Sequence, residues 1–142
     1  MTKSSNLINS LEVYVLNNPK EVKPHWVSHF IVPTANELLI KIKNKNGNSG
    51  FGLATNYTDI KPITKPFSNG LQDLIIGEDP FCPEKLYEKI FKLTDTRLSN
   101  EKGWSRESLI KISAALDIAC WDLIGKASKV PLYKLFGGYR NK

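Results

Sequence analysis

The chain has 142 residues, 41% hydrophobic and 24% charged. This suits one globular domain and is too short to hold a closed (β/α)₈ barrel of about 250 residues beside another domain. The net charge of +6 is carried almost entirely by scattered Lys, with Arg only at positions 97, 106 and 140. That describes a solvated Lys-rich surface, and no basic–aromatic alternation marks a nucleic-acid platform.

Cys82 and Cys120 fit no zinc or redox spacing. Cys120 lies in an apolar helical stretch, where Cys acts as a small hydrophobe. A reducing, cytoplasmic setting is expected. The polar start from Met1 to Asn6 leads into no signal-peptide run. No stretch reaches the ~20 apolar residues of a membrane span, so neither a nucleic acid nor a membrane is expected as a partner.

Strand formers fill the first half and helix formers the second, which predicts an α+β fold. Leu11 to Leu16 reads as a first strand ending at Asn17-Asn18-Pro19. Lys20 to Asn36, interrupted by Pro24 and Pro33, reads as a long loop, and long loops are often functional. Glu37 to Lys43 alternates Ile40 and Ile42 with Lys41 and Lys43, the mark of a half-buried strand. Asn44 to Asn48 forms a turn in which Asn46-Gly47 tolerates positive φ. Gly50 to Thr55 is the returning strand, its glycines allowing close approach of another backbone. The expected sheet is a three-stranded antiparallel meander.

Three to four helices should follow. Thr58 and Asp59 are placed to cap one that stops near Asn69-Gly70, with Pro62 tolerable only in its first turn and Pro66 a doubtful interior residue. Pro83 suits the first position of a helix reaching Leu93, with Leu86, Ile90 and Leu93 on one face. Ser105 caps a helix from Arg106 to Lys126, with Glu107 in its first turn. From Ala114 to Ile124 only Asp117 and Asp122 interrupt an apolar surface, so this helix asks for cover on every side. Trp121 and Leu116 are read as core. Pro131 opens a last short helix that Gly137-Gly138 stops.

Four segments, in order, carry a resemblance. They are Leu38 to Ala54 with its Gly50-Phe51-Gly52; Gly77-Glu78-Asp79-Pro80; Ser113-Ala114-Ala115-Leu116-Asp117-Ile118-Ala119-Cys120-Trp121-Asp122-Leu123-Ile124-Gly125-Lys126-Ala127; and Pro131-Leu132-Tyr133-Lys134-Leu135-Phe136-Gly137-Gly138. Together they resemble the amino-terminal capping domain of the mandelate racemase and muconate lactonizing enzyme branch of the enolase superfamily. The resemblance spans Leu11 to Tyr139. It implies that residues 1–142 are one capping domain whose carboxy-terminal (β/α)₇β barrel lies outside this sequence. It also implies a parent enzyme in which a Lys or His base removes a proton next to a carboxylate and Mg²⁺ stabilises the enediolate that forms. The parent is expected to be an acid-sugar dehydratase and homo-oligomer, with a racemase or cycloisomerase as the alternative. Its metal ligands and catalytic bases would lie on the barrel, so this chain is expected to be inactive alone, with no catalytic and no metal-ligating residue. Leu53 departs from the resemblance, standing where many relatives carry Glu after the second glycine.

The resemblance assigns substrate contact to the first long loop and to the segment after the third strand. The candidates are His25, Trp26, Thr55 and Tyr57. Lys20, Lys23 and His25 make the loop polar, which favours an acid sugar over an aryl substrate. Asp117 and Asp122, five residues apart, do not share a helix face closely and are expected to pair with Lys or backbone amides. Glu78 and Asp79 could form an acid/base pair, although Asp before Pro80 is first a turn signal. The rival to the capping reading is a stand-alone, non-enzymatic interaction module.

Overall fold

The computed structural model describes residues 5–16, 25–32, 36–57 and 59–138. Its strands are β1 (Ile8–Leu16), β2 (His25–Val27), β3 (Phe30–Val32), β4 (Asn36–Asn44) and β5 (Ser49–Asn56). Its α-helices are α1 (Lys61–Ser68), α2 (Pro83–Phe91), α3 (Arg97–Lys102), α4 (Arg106–Ser128) and α5 (Leu132–Leu135). β1, β4 and β5 form the expected three-stranded antiparallel sheet in that order.

Three expectations are corrected in detail. The loop between β1 and β4 is not wholly irregular: β2 and β3 pair as a separate two-stranded hairpin. Among the described residues there are five α-helices, because Thr96 caps α3 through Ser99 N and Gly103 ends it at φ +63°. The third is Trp121 of α4, which is half-buried and not core. Thr58, Asn17, Asn18, Pro19, Lys20, Lys23, Pro24 and Pro33 lie outside the described residues.

Strand alternation sets the two faces of the sheet. On β4, Leu38, Ile40 and Ile42 are fully buried. On β5, Gly50, Gly52, Ala54 and Asn56 face the same way. The turn between these strands closes with Gly47 at φ +85°. Asn44 Oδ1 accepts from Asn48 N at 3.0 Å, holding the turn shut.

α4 lies directly on β5. A Cβ on Gly52 would stand 1.8 Å from the Ala115 carbonyl oxygen, and one on Gly50 would stand 1.9 Å from that of Ala119. The glycines therefore let a helix backbone touch a strand backbone. The helix ridge at the contact is Ala115, Ala119 and Leu123, spaced by four and each fully buried. Ser105 Oγ accepts from Ser108 N at 3.1 Å, capping the start of α4. Lys129, at φ +56°, ends it. Leu86 and Ile90 of α2 join the same core.

α1 starts at Lys61, and Asp59 Oδ1 accepts from Lys61 N at 3.0 Å. Pro62 falls in the first turn, where its missing N–H costs nothing. Pro66 sits in the helix interior and is buried with Ile63 and Phe67, so apolar contact offsets the lost backbone bond.

The covering of α4 differs from expectation. Leu116 is fully buried, as read from the sequence. Trp121 is not core: it is half-buried and packs on Phe136, ring centroids 4.7 Å apart. Ile118 is 52% exposed, and Ile110 and Ala114 lie along the same outward side. The phase is fixed by the glycine contact, which turns one apolar side of α4 to the sheet and the other outward.

Gly52→Ala should therefore push α4 off β5. We expect a loss of roughly 3 kcal/mol or more, measured by urea unfolding followed by far-UV circular dichroism. An alanine variant of unchanged stability would disprove the backbone contact.

Candidate functional site

Thr55 and Tyr57 lie at one end of the main sheet, and His25 and Trp26 lie on the separate hairpin that falls between β1 and β4 in the chain. β1 leaves that end at Leu16, β4 enters it at Asn36, and β5 finishes there at Asn56. Thr55 pairs with Glu37 on β4. His25 opens β2 opposite Val32, and its side chain lies outside the described part. Trp26 is 72% exposed and Tyr57 is 42% exposed. Among the described residues no hydrogen bond links Trp26, Thr55 and Tyr57, and the hairpin pairs with itself, not with the main sheet.

What anchors this end was missed in the sequence. Asn56 is buried; its Nδ2 donates to Asp59 O and its Oδ1 accepts from Lys111 Nζ, both at 2.6 Å. Lys111 also donates to Glu107 Oε1. Asn56 thus ties the Thr55–Tyr57 segment to α4. Extending the β5 alternation through positions 50, 52, 54 and 56 would have placed it on the buried side. Beside it lies a cavity of about 60 Å³ bounded by Pro62, Ser108 and Lys111, too small for a sugar acid.

The acidic candidates are occupied structurally. Asp122 Oδ2 accepts from Phe51 N at 2.9 Å and from Lys126 Nζ, the amide-and-Lys pairing expected for it. Glu78 accepts from Lys89 at 2.7 Å and Lys85 at 3.0 Å. The Lys89 hydrogen bond, opposed by burial and aided by Lys85, holds its carboxyl below the usual range. Asp79 Oδ1 accepts from Phe81 N at 3.0 Å, a turn contact. An anion bound by two ammoniums holds no proton to donate at neutral pH, so Glu78 and Asp79 do not make an acid/base pair.

Asp117 is different. Burial, and then the nearby Glu84, push its carboxyl up, while an interaction with Trp121 opposes the shift. It lines a groove of about 340 Å³ with Glu84, Tyr87 and Glu88. Burial likewise pushes the Cys120 thiol up to about 12, so it is an inert core group. Among the described residues, no three His, Cys, Asp or Glu side chains are placed to hold a metal ion. The Mg²⁺ that the resemblance implies therefore finds no ligand set there.

One uncovered apolar surface is helical. Ile118 and Trp121 of α4 continue onto α5 and its C-cap, where Tyr133 is 53%, Leu135 38% and Phe136 62% exposed. α5 has no buried residue. Contiguous apolar exposure of this kind marks an interaction surface.

Comparison with known proteins agrees with this geometry. The model of the mandelate racemase / muconate lactonizing enzyme N-terminal domain matches residues 10–137. The chain belongs to that family, within the enolase superfamily. It is 31% identical over 134 residues to the D-gluconate/D-galactonate dehydratase of Picrophilus torridus, covering 94% of this chain and 31% of that protein. It is 33% identical over 125 residues to the L-Ala-D/L-Glu epimerase of Clostridium acetobutylicum, covering 84% and 32%. It thus spans about a third of the length of these relatives. Among solved structures, a mandelate racemase/muconate lactonizing enzyme from Polaromonas sp. superposes with TM-score 0.69 at 26% identity, covering 96% of this chain and 34% of the other. Another member reaches TM-score 0.77 at 26% identity over 95% and 35%. Among the described residues no helix is long and apolar enough to cross a membrane.

Glu78 supplies a test through pH. A carboxyl depressed by its lysines stabilises the fold fully above its ordinary value of 4.5, and that contribution disappears as pH falls through the depressed folded value. Glu78→Gln should cost roughly 1 kcal/mol at pH 7, with the two stability curves converging in acid. Urea midpoints taken between pH 7 and pH 3 check this; a constant gap would reject the ion-pair origin.

Proposed function

We propose that this chain is the capping and specificity part of an acid-sugar-converting enzyme, with chemistry supplied by a barrel-type partner domain. One observation carries the reading: the α4–α5 surface of Ile118, Trp121, Tyr133 and Phe136 is apolar and uncovered, in a chain about a third the length of its relatives. A surface of that composition gains by burial, roughly 25 cal/mol for each Å² of apolar area removed from water. The occupied state of Glu78 and Asp122 supports the same reading, since acids already bound to lysines or a backbone amide are poor bases.

Within this reading the end of the sheet at Thr55 and Tyr57, with His25 and Trp26 on the intervening hairpin, meets the distal part of the substrate. Tyr57 and Trp26 offer exposed rings and hydrogen-bonding groups suited to sugar hydroxyls. Mg²⁺ would be held by the partner domain. The first-matched dehydratase favours a sugar acid, and the epimerase match makes a dipeptide substrate the second reading. Cytoplasmic residence belongs to the same proposal.

The purified 142-residue chain, given Mg²⁺ and a panel of sugar acids and dipeptides, should show no turnover. Turnover by the chain alone would overturn the capping assignment. The chain should also bind an apolar fluorescent dye, with at least a severalfold loss of signal in the Ile118→Glu/Phe136→Glu variant; an unchanged signal would show that the helical face is not the exposed apolar surface.

A further inference from the structure

The chain holds two Asn-Gly pairs, Asn46-Gly47 and Asn69-Gly70, each with an exposed asparagine. In such a pair the backbone amide can attack the side-chain carbonyl before it, because Gly has no Cβ to block the approach. The two pairs are held differently. At the first, Gly47 N donates to Asn44 O at 3.0 Å, and Asn46 Nδ2 donates to Asn6 Oδ1 at 2.7 Å. The attacking amide and the leaving amide are both engaged. At the second, neither Gly70 N nor the Asn69 side-chain amide has a hydrogen-bond partner among the described residues.

The second pair also meets a positive charge. Asn69 is the C-cap of α1, and Lys102 Nζ, at the end of α3, donates to its carbonyl oxygen at 2.8 Å. The same ammonium lies 5.4 Å from the Trp104 ring centroid, so ring and carbonyl together hold it in place. That oxygen belongs to the peptide unit whose nitrogen is Gly70 N. When Gly70 N gives up its proton, the negative charge spreads by peptide resonance onto Asn69 O, where the Lys102 ammonium stabilises it. Asp73 Oδ2, 3.6 Å from where a Gly70 Cβ would stand, opposes that charge; the direct contact to Lys102 is shorter and dominates. Attack requires the Asn69–Gly70 peptide to turn away from ψ 25°. Gly70, at φ +93°, tolerates the turn. The bonds from Asn69 N to Lys65 O and Pro66 O lie on the fixed side of it.

We propose that Asn69 is a site of spontaneous, lysine-assisted deamidation, and that Asn46 is protected in the folded chain. Gly70 N forms a bond to Asn69 Cγ, and the Cγ–Nδ2 bond breaks. The Gly70 amide proton leaves with Nδ2 as ammonia, which closes a cyclic imide. Water then opens the ring at either carbonyl and gives aspartate or isoaspartate. The sum is asparagine plus water to a carboxylic acid plus ammonia, with no change of oxidation state. The isoaspartyl product carries the main chain through Cβ, which lengthens it between α1 and the segment that buries Leu71 and Ile75. That product is therefore less stable than the parent. The chemistry needs no partner domain.

For the test, the 142-residue chain is aged at neutral pH and digested. Its two Asn-Gly peptides are followed by mass spectrometry, with isoaspartate scored by methyltransferase labelling. Asn69 should convert roughly 10-fold faster than Asn46, since hydrogen bonds must break at one site and not at the other. In guanidinium chloride both pairs are free, and the two rates should become equal to within about 2-fold. Lys102→Met keeps the stem and drops the charge; it should slow Asn69 on the order of 5-fold and leave Asn46 unchanged. Lys102→Arg should retain most of the parent rate. Circular dichroism matching the parent qualifies each variant, and the folded-against-denatured comparison tests the proposal in the unsubstituted chain. Asn46 converting as fast as Asn69 in the folded chain, a rate ratio unmoved by denaturant, or an Asn69 rate indifferent to Lys102→Met would overturn the proposal.

Discussion

A helix resting on strand backbone is the constraint from which the rest follows. Gly50 and Gly52 leave no Cβ between β5 and α4, so the Ala119 and Ala115 carbonyls occupy that space. Close approach at this depth fixes the axial position and the rotation of α4 together. Once α4 is placed, Leu109, Ile112, Leu116 and Leu123 fall inside. α2 then has a ridge against which Leu86 and Ile90 bury. The same rotation turns Ala114, Ile118 and Trp121 away from the sheet. The exposed stripe and the buried core are two results of one contact.

Much of this was legible in the sequence. The alternation of Leu38, Ile40 and Ile42 marked β4, the Asn46-Gly47 pair marked the turn, and Ser105 marked the start of α4. The two glycines announced a close backbone neighbour. What could not be read has physical reasons. β2 and β3 are three residues each among prolines, and such short strands carry no periodicity. α3 is six residues and is signalled only by its Thr96 cap and Gly103. A helix apolar on all sides has no preferred rotation, so Trp121 could not be assigned a side until the glycine contact set the phase.

The site was legible only in outline. The resemblance assigned Thr55, Tyr57, His25 and Trp26 to one substrate-facing region; the fold puts Thr55 and Tyr57 at the end of β5 and Trp26 on a separate hairpin. The anchoring role of Asn56 and Lys111 escaped because their side chains are 55 positions apart in sequence. Acidic residues that invite a catalytic reading, Glu78 and Asp122, are held by lysines and a backbone amide. These charges serve architecture, and the α4–α5 surface left open is apolar.

The Phe51 amide is satisfied by the carboxylate of Asp122, not by a neighbouring strand. β5 is an outer strand of its sheet, and a bare edge amide is a template for adding foreign strands. A carboxylate delivered from the next layer blocks that template with a negative charge. Lys126, bonded to Asp122 and lying 4.7 Å above the Phe51 ring, crowds the same margin. A single acidic side chain therefore takes one backbone donor of this border away from any strand laid against it.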